Sequence, residues 1–274
     1  MRKSPLQIAG LTLASLAIVV FSLFPVWVMV TRAFDPGAGS GRRSVIPSGF
    51  SLEHFVTVLE RSSFPTYLMN SLVVALVTVV ASGLLALFAA VAVARFRFSG
   101  RTKILMMILI IQMIPIEALV IPLFLQAKTL GLLNSLLGLS VIYIAFSLSF
   151  AIWTLRGFVA GIPVELEEAA YLDGASWWQM FWRVLFPLVA PGLVAVSVFS
   201  FILAWNEFIF ALTFMSDGDK YTAAVGLRTF FTRGGTDWGS VMAASTLITM
   251  PVLLFFVAVQ SRLSSGLMSG ATKG

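Results

Sequence analysis

The sequence predicts an all-α membrane protein with six transmembrane helices. Of its 274 residues, 59% are hydrophobic and 11% are charged, whereas about 25% are charged in a typical soluble domain. Six mostly apolar segments each approach the roughly 20 residues that cross a bilayer. They cover residues 8–31, 68–94, 104–126, 139–156, 189–214 and 241–261. Lipid cannot hydrogen-bond an exposed backbone, and the segments lack the alternating pattern of strands, so each is expected to be a helix.

The first apolar segment follows Arg2 and Lys3, as in a secretory signal peptide. It continues from Ile8 to Val30, which exceeds the roughly 7–15 apolar residues of a signal peptide. We therefore interpret it as a retained first span.

The loop charges predict the orientation of the spans. The link between the second and third spans holds Arg95, Arg97, Arg101 and Lys103, but the next link holds only Lys128. Because short cytoplasmic loops are rich in Lys and Arg, the first of these links and both termini are expected to be cytoplasmic. The longer segments 33–67 and 214–240 are then external. They contain Arg42, Arg43, Arg228 and Arg233.

Several function classes lack support in the sequence. The absence of cysteine excludes disulfides and cysteine metal sites, and the single histidine, His54, cannot form a histidine-rich metal site. The net charge of +6 is better explained by cytoplasmic loops than by nucleic-acid binding. The sequence has no phosphate-binding P-loop, zinc-protease motif or nucleophile elbow, so it predicts neither ATP binding nor hydrolase chemistry in this chain.

The polar segment between the fourth and fifth spans is expected to begin with a short helix. Pro163 can open it, and Glu165, Glu167 and Glu168 would then lie in the first turns, where the helix dipole favours acids. Ala169 and Ala170 are strong helix formers. Asp173 and Gly174 form a stop signal, with Gly174 suited to a left-handed cap.

A second helix is expected after this corner. Ser176 and Gln179 fit a capping box. Aromatic and aliphatic residues then recur at helical spacing, which favours a helix along the membrane surface that ends at Pro187, before the fifth span. Physical reasoning alone leaves two interpretations open: a helix that docks into a groove of a partner, or an amphipathic linker.

Polar groups inside the predicted spans are candidates for a translocation path. Glu117 lies in the third span and Glu207 in the fifth, and an acid in a membrane is costly enough to suggest a function. No Lys or Arg is expected within a span to pair with them. They could contact a polar substrate, or they could tie helices together or shape a gate. The full set of candidates is Gln112, Glu117, Trp205, Asn206 and Glu207.

The corner between the two helices resembles the EAA loop of permeases of binding-protein-dependent ABC importers. That loop has E-A-A, three residues, G, nine residues and I-x-L-P; here Val and Phe replace Ile and Leu. The resemblance implies that the short helix is a coupling helix, seated in a cleft of a separate ATPase subunit. The coupling residues it implies are Glu168, Ala169, Ala170, Asp173, Gly174 and Pro187.

Three further stretches are similar to the maltose-type carbohydrate permeases. They are "FILAWNEFIFALTF", the opening "IPSGFSLEHFVTVL", in which His54 and Phe55 depart from the usual Asn and Tyr, and the ending "MPVLLFFVAVQSRLSSGLMSGATKG". The chain most resembles the shorter of the two permease subunits of that group. The resemblance implies that Gly270 to Gly274 reach the ATPase interface. It also implies that the longer permease supplies most sugar contacts, which favours a structural role for Asn206 and Glu207.

The resemblance implies the type I ABC importer permease fold and an alternating-access mechanism. The expected divisions are a first helix and external loop (1–67), a transmembrane core (68–262) with a cytoplasmic coupling loop (157–187), and a cytoplasmic tail (263–274). The implied partners are a second homologous permease, two ATPase subunits, an extracytoplasmic sugar-binding protein and the lipid bilayer, with no nucleic acid. No cofactor is expected on this chain, because ATP and Mg would bind the ATPase subunits.

Three alternatives remain at this point. The same kind of importer could carry glycerol phosphate or a polyol, although a lack of Lys and Arg in the spans disfavours a dianionic cargo. An ion-driven secondary transporter would need inverted repeats with broken helices, which the sequence does not display. A membrane-embedded enzyme would need a nucleophile with its base, or a metal cluster.

Overall fold

The computed structural model describes residues 5–38, 47–232 and 235–271. The long helices are α1 (Pro5–Ala33), α3 (Phe64–Arg95), α4 (Arg101–Gln112), α6 (Leu136–Gly161), α9 (Phe186–Asn206) and α12 (Trp238–Ala271). The shorter helices are α2 (Glu53–Glu60), α5 (Val120–Thr129), α7 (Glu165–Leu172), α8 (Trp177–Met180), α10 (Ile209–Phe214) and α11 (Ala223–Gly226). A two-residue hairpin pairs β1 (Phe231–Thr232) with β2 (Gly235–Thr236).

The helical membrane fold is confirmed for the described part of the chain. Five helical stretches there are long and apolar enough to cross a membrane: Gln7–Ala33, Phe64–Arg95, Leu136–Gly161, Trp177–Asn206 and Trp238–Gln260. The third predicted span, 104–126, corresponds to a pair of helices, Arg101–Gln112 and Ile116–Thr129, which meet at 96°. Five of the six predicted spans are therefore present as single stretches, and the third corresponds to a bent pair of helices.

The third predicted span is not one continuous helix. α4 ends at Gln112, and a 3₁₀ turn from Ile116 to Leu119 leads into α5. Pro115 precedes that turn with an extended ψ of 124°. A proline supplies no backbone N–H and its ring clashes with the preceding turn, so the helix cannot continue through it.

The fifth predicted span is wrong at both ends. The helix along the membrane surface does not stop at Pro187, because α8 runs through a π-helical turn, Phe181–Leu185, directly into α9. Pro187 lies in the first turn of α9, where a local π adjustment can satisfy the carbonyl that the proline leaves free. The span then ends at Asn206, since Glu207 has an extended ψ of 129°.

Contacts divide the chain into two units, of which the larger is Thr66–Val225 with Pro251–Gly274. Its core is formed by buried aliphatic and aromatic residues of α3, α6 and the run from α8 to α9, including Leu87, Leu155 and Phe181. α6 and α9 approach closely at Gly192, where a Cβ atom would lie 2.6 Å from the ring of Phe158. Small residues allow such approach in membrane helices.

The smaller unit, Met1–Pro65 with Gly226–Met250, contains a buried carboxylate. Asp35 is 1% exposed and accepts hydrogen bonds from the Ser48 hydroxyl (2.5 Å), the backbone N–H groups of Ser48 (3.1 Å) and Gly37 (3.0 Å), and Arg32 (2.7 Å). The hydrogen bond from the Ser48 hydroxyl is the largest cause that lowers the pKa of Asp35, and the other donors lower it further. Burial raises the pKa, but the net effect holds it well below its ordinary value. This contact joins the end of α1 to the residues before α2.

Some expectations concern side chains outside the described part of the chain. They are the loop or terminal charges of Arg2, Lys3, Arg42, Arg43, Arg233, Arg262 and Lys273, and the interface expected at Gly270 to Gly274.

Candidate functional site

The predicted corner between the two helices is present. α7 begins at Glu165, two residues after Pro163, and ends at Leu172. Gly174 has φ +83°, a left-handed conformation that glycine adopts without strain. Ser176 then forms a complete capping box with Gln179, with distances of 2.8 and 3.4 Å. The helix, the glycine turn and the capped restart all occur where the sequence predicts them.

α7 presents most of its surface to solvent. Glu168, Ala169, Asp173, Gly174 and Pro187 are exposed, and Ala170 is half-buried against the core. Apolar side chains are exposed on and beside the same short helix: Val164, Leu166, Tyr171 and Leu172, the last at 88%. Contiguous exposed apolar residues on a polar segment are typical of a surface that binds a partner.

The inner face of α7 is fixed by a buried ion pair that the sequence analysis missed. Glu167 is 7% exposed, and its Oε1 accepts a 2.6 Å hydrogen bond from Nε of Arg95, the last residue of α3. The guanidinium also donates to the carbonyl of Ile162, at 2.8 Å. From the sequence alone, Arg95 is only a charge in a cytoplasmic loop and Glu167 only an acid favoured by the helix dipole. Their opposite charges in neighbouring cytoplasmic loops were the one available signal.

Glu207 has a structural role that its sequence position did not reveal. It was expected inside the fifth span, but it lies in the gap between α9 and α10. Its carboxylate accepts hydrogen bonds from the N–H groups of Phe210 (2.9 Å) and Ala211 (3.1 Å), which begin α10. The buried hydroxyl of Tyr143 on α6 donates to the same carboxylate. Of the two interpretations left open above, these contacts favour helix tethering.

The other candidates for the path differ in their surroundings. Trp205 is 2% exposed, and its ring stacks on Phe201 at 5.4 Å, while Asn206 is exposed. Glu117 and Gln112 are exposed on either side of the 96° bend between α4 and α5. The structure thus separates an exposed pair at the bend from the residues at the end of α9.

The expectation that no Lys or Arg lies within a span is wrong, because the predicted fourth span, 139–156, itself ends at Arg156. α6 continues to Gly161, so Arg156 is an internal residue of this helix, with its guanidinium 5.5 Å from the ring of Trp153. A long side chain near a helix end can carry its charge toward the membrane surface, which makes this position tolerable. This one cation weakens the argument against a dianionic cargo.

The segment from Met215 to Ala223 is tied to the start of α3. The side-chain amide of Asn70 donates to the carbonyls of Asp219 (2.9 Å) and Tyr221 (3.0 Å). The hydroxyl of Ser71 accepts from the N–H of Ala223 at 2.8 Å. These are backbone-directed contacts between residues about 150 positions apart, which sequence periodicity cannot reveal.

Comparison with known proteins gives a family match and close relatives. The model of the family described as "Binding-protein-dependent transport system inner membrane component" matches residues 82–269. The diacetylchitobiose uptake system permease protein DasC of Streptomyces coelicolor is 41% identical, covering 94% of this chain and 95% of its own. The trehalose transport system permease protein SugB of Mycobacterium tuberculosis is 36% identical, covering 94% of each chain. The trehalose/maltose transport system permease protein MalG of Thermococcus litoralis is 35% identical over all of both chains.

A solved structure supports the fold. A chain from the crystal structure of a bacterial ABC transporter involved in the import of the acidic polysaccharide alginate superposes with a TM-score of 0.82. The match covers 95% of this chain and 99% of the other, at 23% sequence identity. The fold predicted above is thus that of a known ABC importer subunit.

Proposed function

Because this chain belongs to the family of binding-protein-dependent transport system inner membrane components, we propose that it is the permease subunit of an ATP-driven importer for a sugar or oligosaccharide. The observation that carries this proposal is the likeness to DasC, SugB and MalG over more than nine-tenths of the chain. Those relatives serve diacetylchitobiose, trehalose and trehalose/maltose transport. The cargo of this chain is therefore expected to belong to the same chemical class.

The importer needs an energy source, and α7 is the element suited to receive it. An exposed eight-residue helix with apolar side chains at its surface can enter a groove on an ATPase subunit. ATP hydrolysis, with its Mg, belongs to that separate subunit and not to this chain. The proposed coupling residues are Glu168, Ala169, Ala170, Asp173, Gly174 and Pro187.

The complete importer contains this chain, a second homologous permease, two ATPase subunits and an extracytoplasmic sugar-binding protein. ATP binding closes the ATPase pair and moves α7, which opens the path outward to accept sugar. The predicted external segments 33–67 and 214–240 are candidates to contact the binding protein. The exposed Glu117, Gln112 and Asn206 are candidates to line the path, whereas Glu207 holds the break between α9 and α10.

An importer for glycerol phosphate or a polyol is the second candidate. Arg156 places one cation within α6, which weakens the charge-based objection to an anionic cargo. The preference for a sugar then depends on the relatives alone, and the cargo must be measured.

The test is co-purification followed by transport. The tagged chain is extracted from its native host in mild detergent, and its partners are identified by mass spectrometry. The complex in proteoliposomes is then supplied with MgATP, the binding protein and radiolabelled trehalose, diacetylchitobiose or glycerol 3-phosphate. We expect an ATPase, a second permease and ATP-dependent uptake of a sugar. Uptake of glycerol 3-phosphate alone would replace the sugar assignment, and transport by the isolated chain under an ion gradient without ATP would overturn the importer.

A further inference from the structure

We propose that Arg95 is a positioning residue that clamps α7 to α3, and that α3 is the strut through which movement of α7 reaches the outer segment Met215–Ala223. This proposal rests on the proposed function, because it assumes that α7 receives the movement of an ATPase. It concerns residues for which neither the motif nor the family match suggests a role.

The inner clamp joins three segments through one guanidinium. Arg95 is the last residue of α3, Ile162 follows the end of α6, and Glu167 lies in the first turns of α7. The two hydrogen bonds, 2.6 Å to Glu167 and 2.8 Å to Ile162, use different nitrogens of the planar group. The side chain of Arg95 is 14% exposed and that of Glu167 is 9% exposed, so water competes little for their hydrogen bond.

This geometry requires arginine and resists loss of either charge. A guanidinium holds its donors in a fixed fork, whereas a lysine ammonium is a single point on a flexible stem. Removing one member of a buried pair leaves the other charged and uncompensated, which is strongly unfavourable. α7 is therefore held to α3 more firmly than its short length and exposed surface would suggest.

The neighbouring carboxylates of α7 divide the work between two faces. Glu167 points to the clamp and is buried, while Glu168 is exposed beside the docking residues. A force applied to the exposed side is thereby transmitted to α3 through the adjacent, buried residue of the same helical turn.

α3 connects this clamp to the other end of the transmembrane core without a break. It is a single helix from Phe64 to Arg95. From Asn70 to Arg95 its axis extends about 38 Å at 1.5 Å per residue, enough to cross the hydrocarbon layer. Asn70 and Ser71 at its far end hold the backbone of Asp219, Tyr221 and Ala223. Fixed contacts at both ends make α3 a rigid element that links α7 to the outer segment.

The experiment compares uptake with assembly in the reconstituted complex. Arg95→Gln, Arg95→Lys, Glu167→Gln and the charge exchange Arg95→Glu with Glu167→Arg are each measured for ATPase co-purification, basal ATP hydrolysis and ATP-driven uptake of the sugar identified above. Arg97→Gln is the matched control, because Arg97 is exposed two residues further along the same link. We expect Arg95→Gln and Glu167→Gln to assemble and hydrolyse ATP but to lower uptake per ATP about tenfold, within the range for loss of one coupling contact.

Rescue separates coupling from simple folding. We expect Arg95→Lys to lie between wild type and Arg95→Gln, and the charge exchange to recover part of the uptake. The chain has no cysteine, so Arg95→Cys with Glu167→Cys can be joined by a short bismaleimide linker, which should raise uptake relative to the unlinked form.

Two results would overturn the clamp. One is wild-type uptake per ATP in Arg95→Gln. The other is a linked double-cysteine complex that assembles but transports no better than the unlinked one. That second result overturns the clamp even if the glutamine variants fail to assemble. Failure of the proposed function looks different, because the wild-type chain itself would then neither retain an ATPase nor transport with ATP.

Discussion

Substitutions of Gly174 can separate two effects at the turn after α7. One is the need for a left-handed backbone, and the other is the side-chain chemistry that the docking surface accepts. Gly174 has φ +83°, and no atom lies within 4 Å of the position that a Cβ would occupy. A new side chain therefore meets no steric obstacle within the subunit. Two costs remain. One is strain in the left-handed backbone, and the other is the cost of placing the new side chain in the interface with a bound partner.

The expected sizes of these costs differ. Alanine in a left-handed conformation costs about 1–2 kcal/mol, whereas asparagine and aspartate tolerate it better. If the strain appears fully in docking, Gly174→Ala weakens ATPase binding by about 5- to 30-fold, since 1.4 kcal/mol is tenfold. Asparagine and aspartate have nearly the same shape, so their difference reports the cost of burying a charge in the interface, about several kcal/mol if it is unpaired.

The assay is ATP-driven uptake, with membrane insertion and ATPase co-purification measured in parallel. We expect uptake to fall in the order glycine, asparagine, alanine, aspartate, with Gly174→Asp inserted but inactive. Gly157→Ala is the matched control, because Gly157 lies within α6 with no atom near its added Cβ, and alanine favours a helix. Normal uptake by Gly174→Asp would refute the assignment of α7 as the coupling helix. Equal loss in the asparagine and aspartate variants would show that side-chain volume, and not charge, is excluded.

Other outcomes can be tested separately. Glu168→Arg should leave the chain inserted but abolish uptake, while Glu168→Gln retains part of it; normal uptake by the arginine variant contradicts a docking role. Glu207→Gln and Tyr143→Phe should each destabilise the chain by about 1–3 kcal/mol, the cost of leaving a buried hydrogen-bonding group unsatisfied, and less than additively together, as measured by thermal unfolding in detergent. Asp35→Asn should remove a pH dependence of the chain's stability. The folded pKa of Asp35 is lowered, so the stabilisation by its carboxylate is complete above the unfolded pKa of about 4. That stabilisation is lost as pH falls toward the folded pKa. If the stability of the variant and of the wild type fell equally as the pH was lowered, this prediction would be contradicted.

The sequence was sufficient for features that depend on local chemistry. Apolar length located five spans as single helical stretches and the third as a bent pair, and the order of acids, alanines, glycine and serine located α7, the Gly174 turn and the Ser176 capping box. Each of these is determined by a few adjacent residues, so no knowledge of distant neighbours is needed.

The errors arose where distant groups or an irregular helical turn replace the regular local hydrogen bonds. Glu207 was expected within a helix, but its carboxylate caps the next helix with help from Tyr143, 64 residues away. Pro187 was expected to end a helix, but the π turn before it lets the helix continue. The partnership of Arg95 with Glu167 spans 72 residues. A single sequence contains these residues but not their distances.

The π turn at Phe181–Leu185 also makes chain length in this segment critical. A turn that holds an additional residue rotates everything on one side of it by about 100° relative to an uninterrupted α-helix, since each α-helical residue advances by that angle. The direction in which the Ser176 cap and α7 leave the core therefore depends on how many residues lie between Met180 and Phe186, more than on which residues they are.

Deleting one of them should redirect α7 by roughly a quarter turn and disconnect the ATPase, whereas conservative substitutions there should be tolerated. Measuring uptake in a one-residue deletion beside Val184→Ile would distinguish a requirement for number from a requirement for identity.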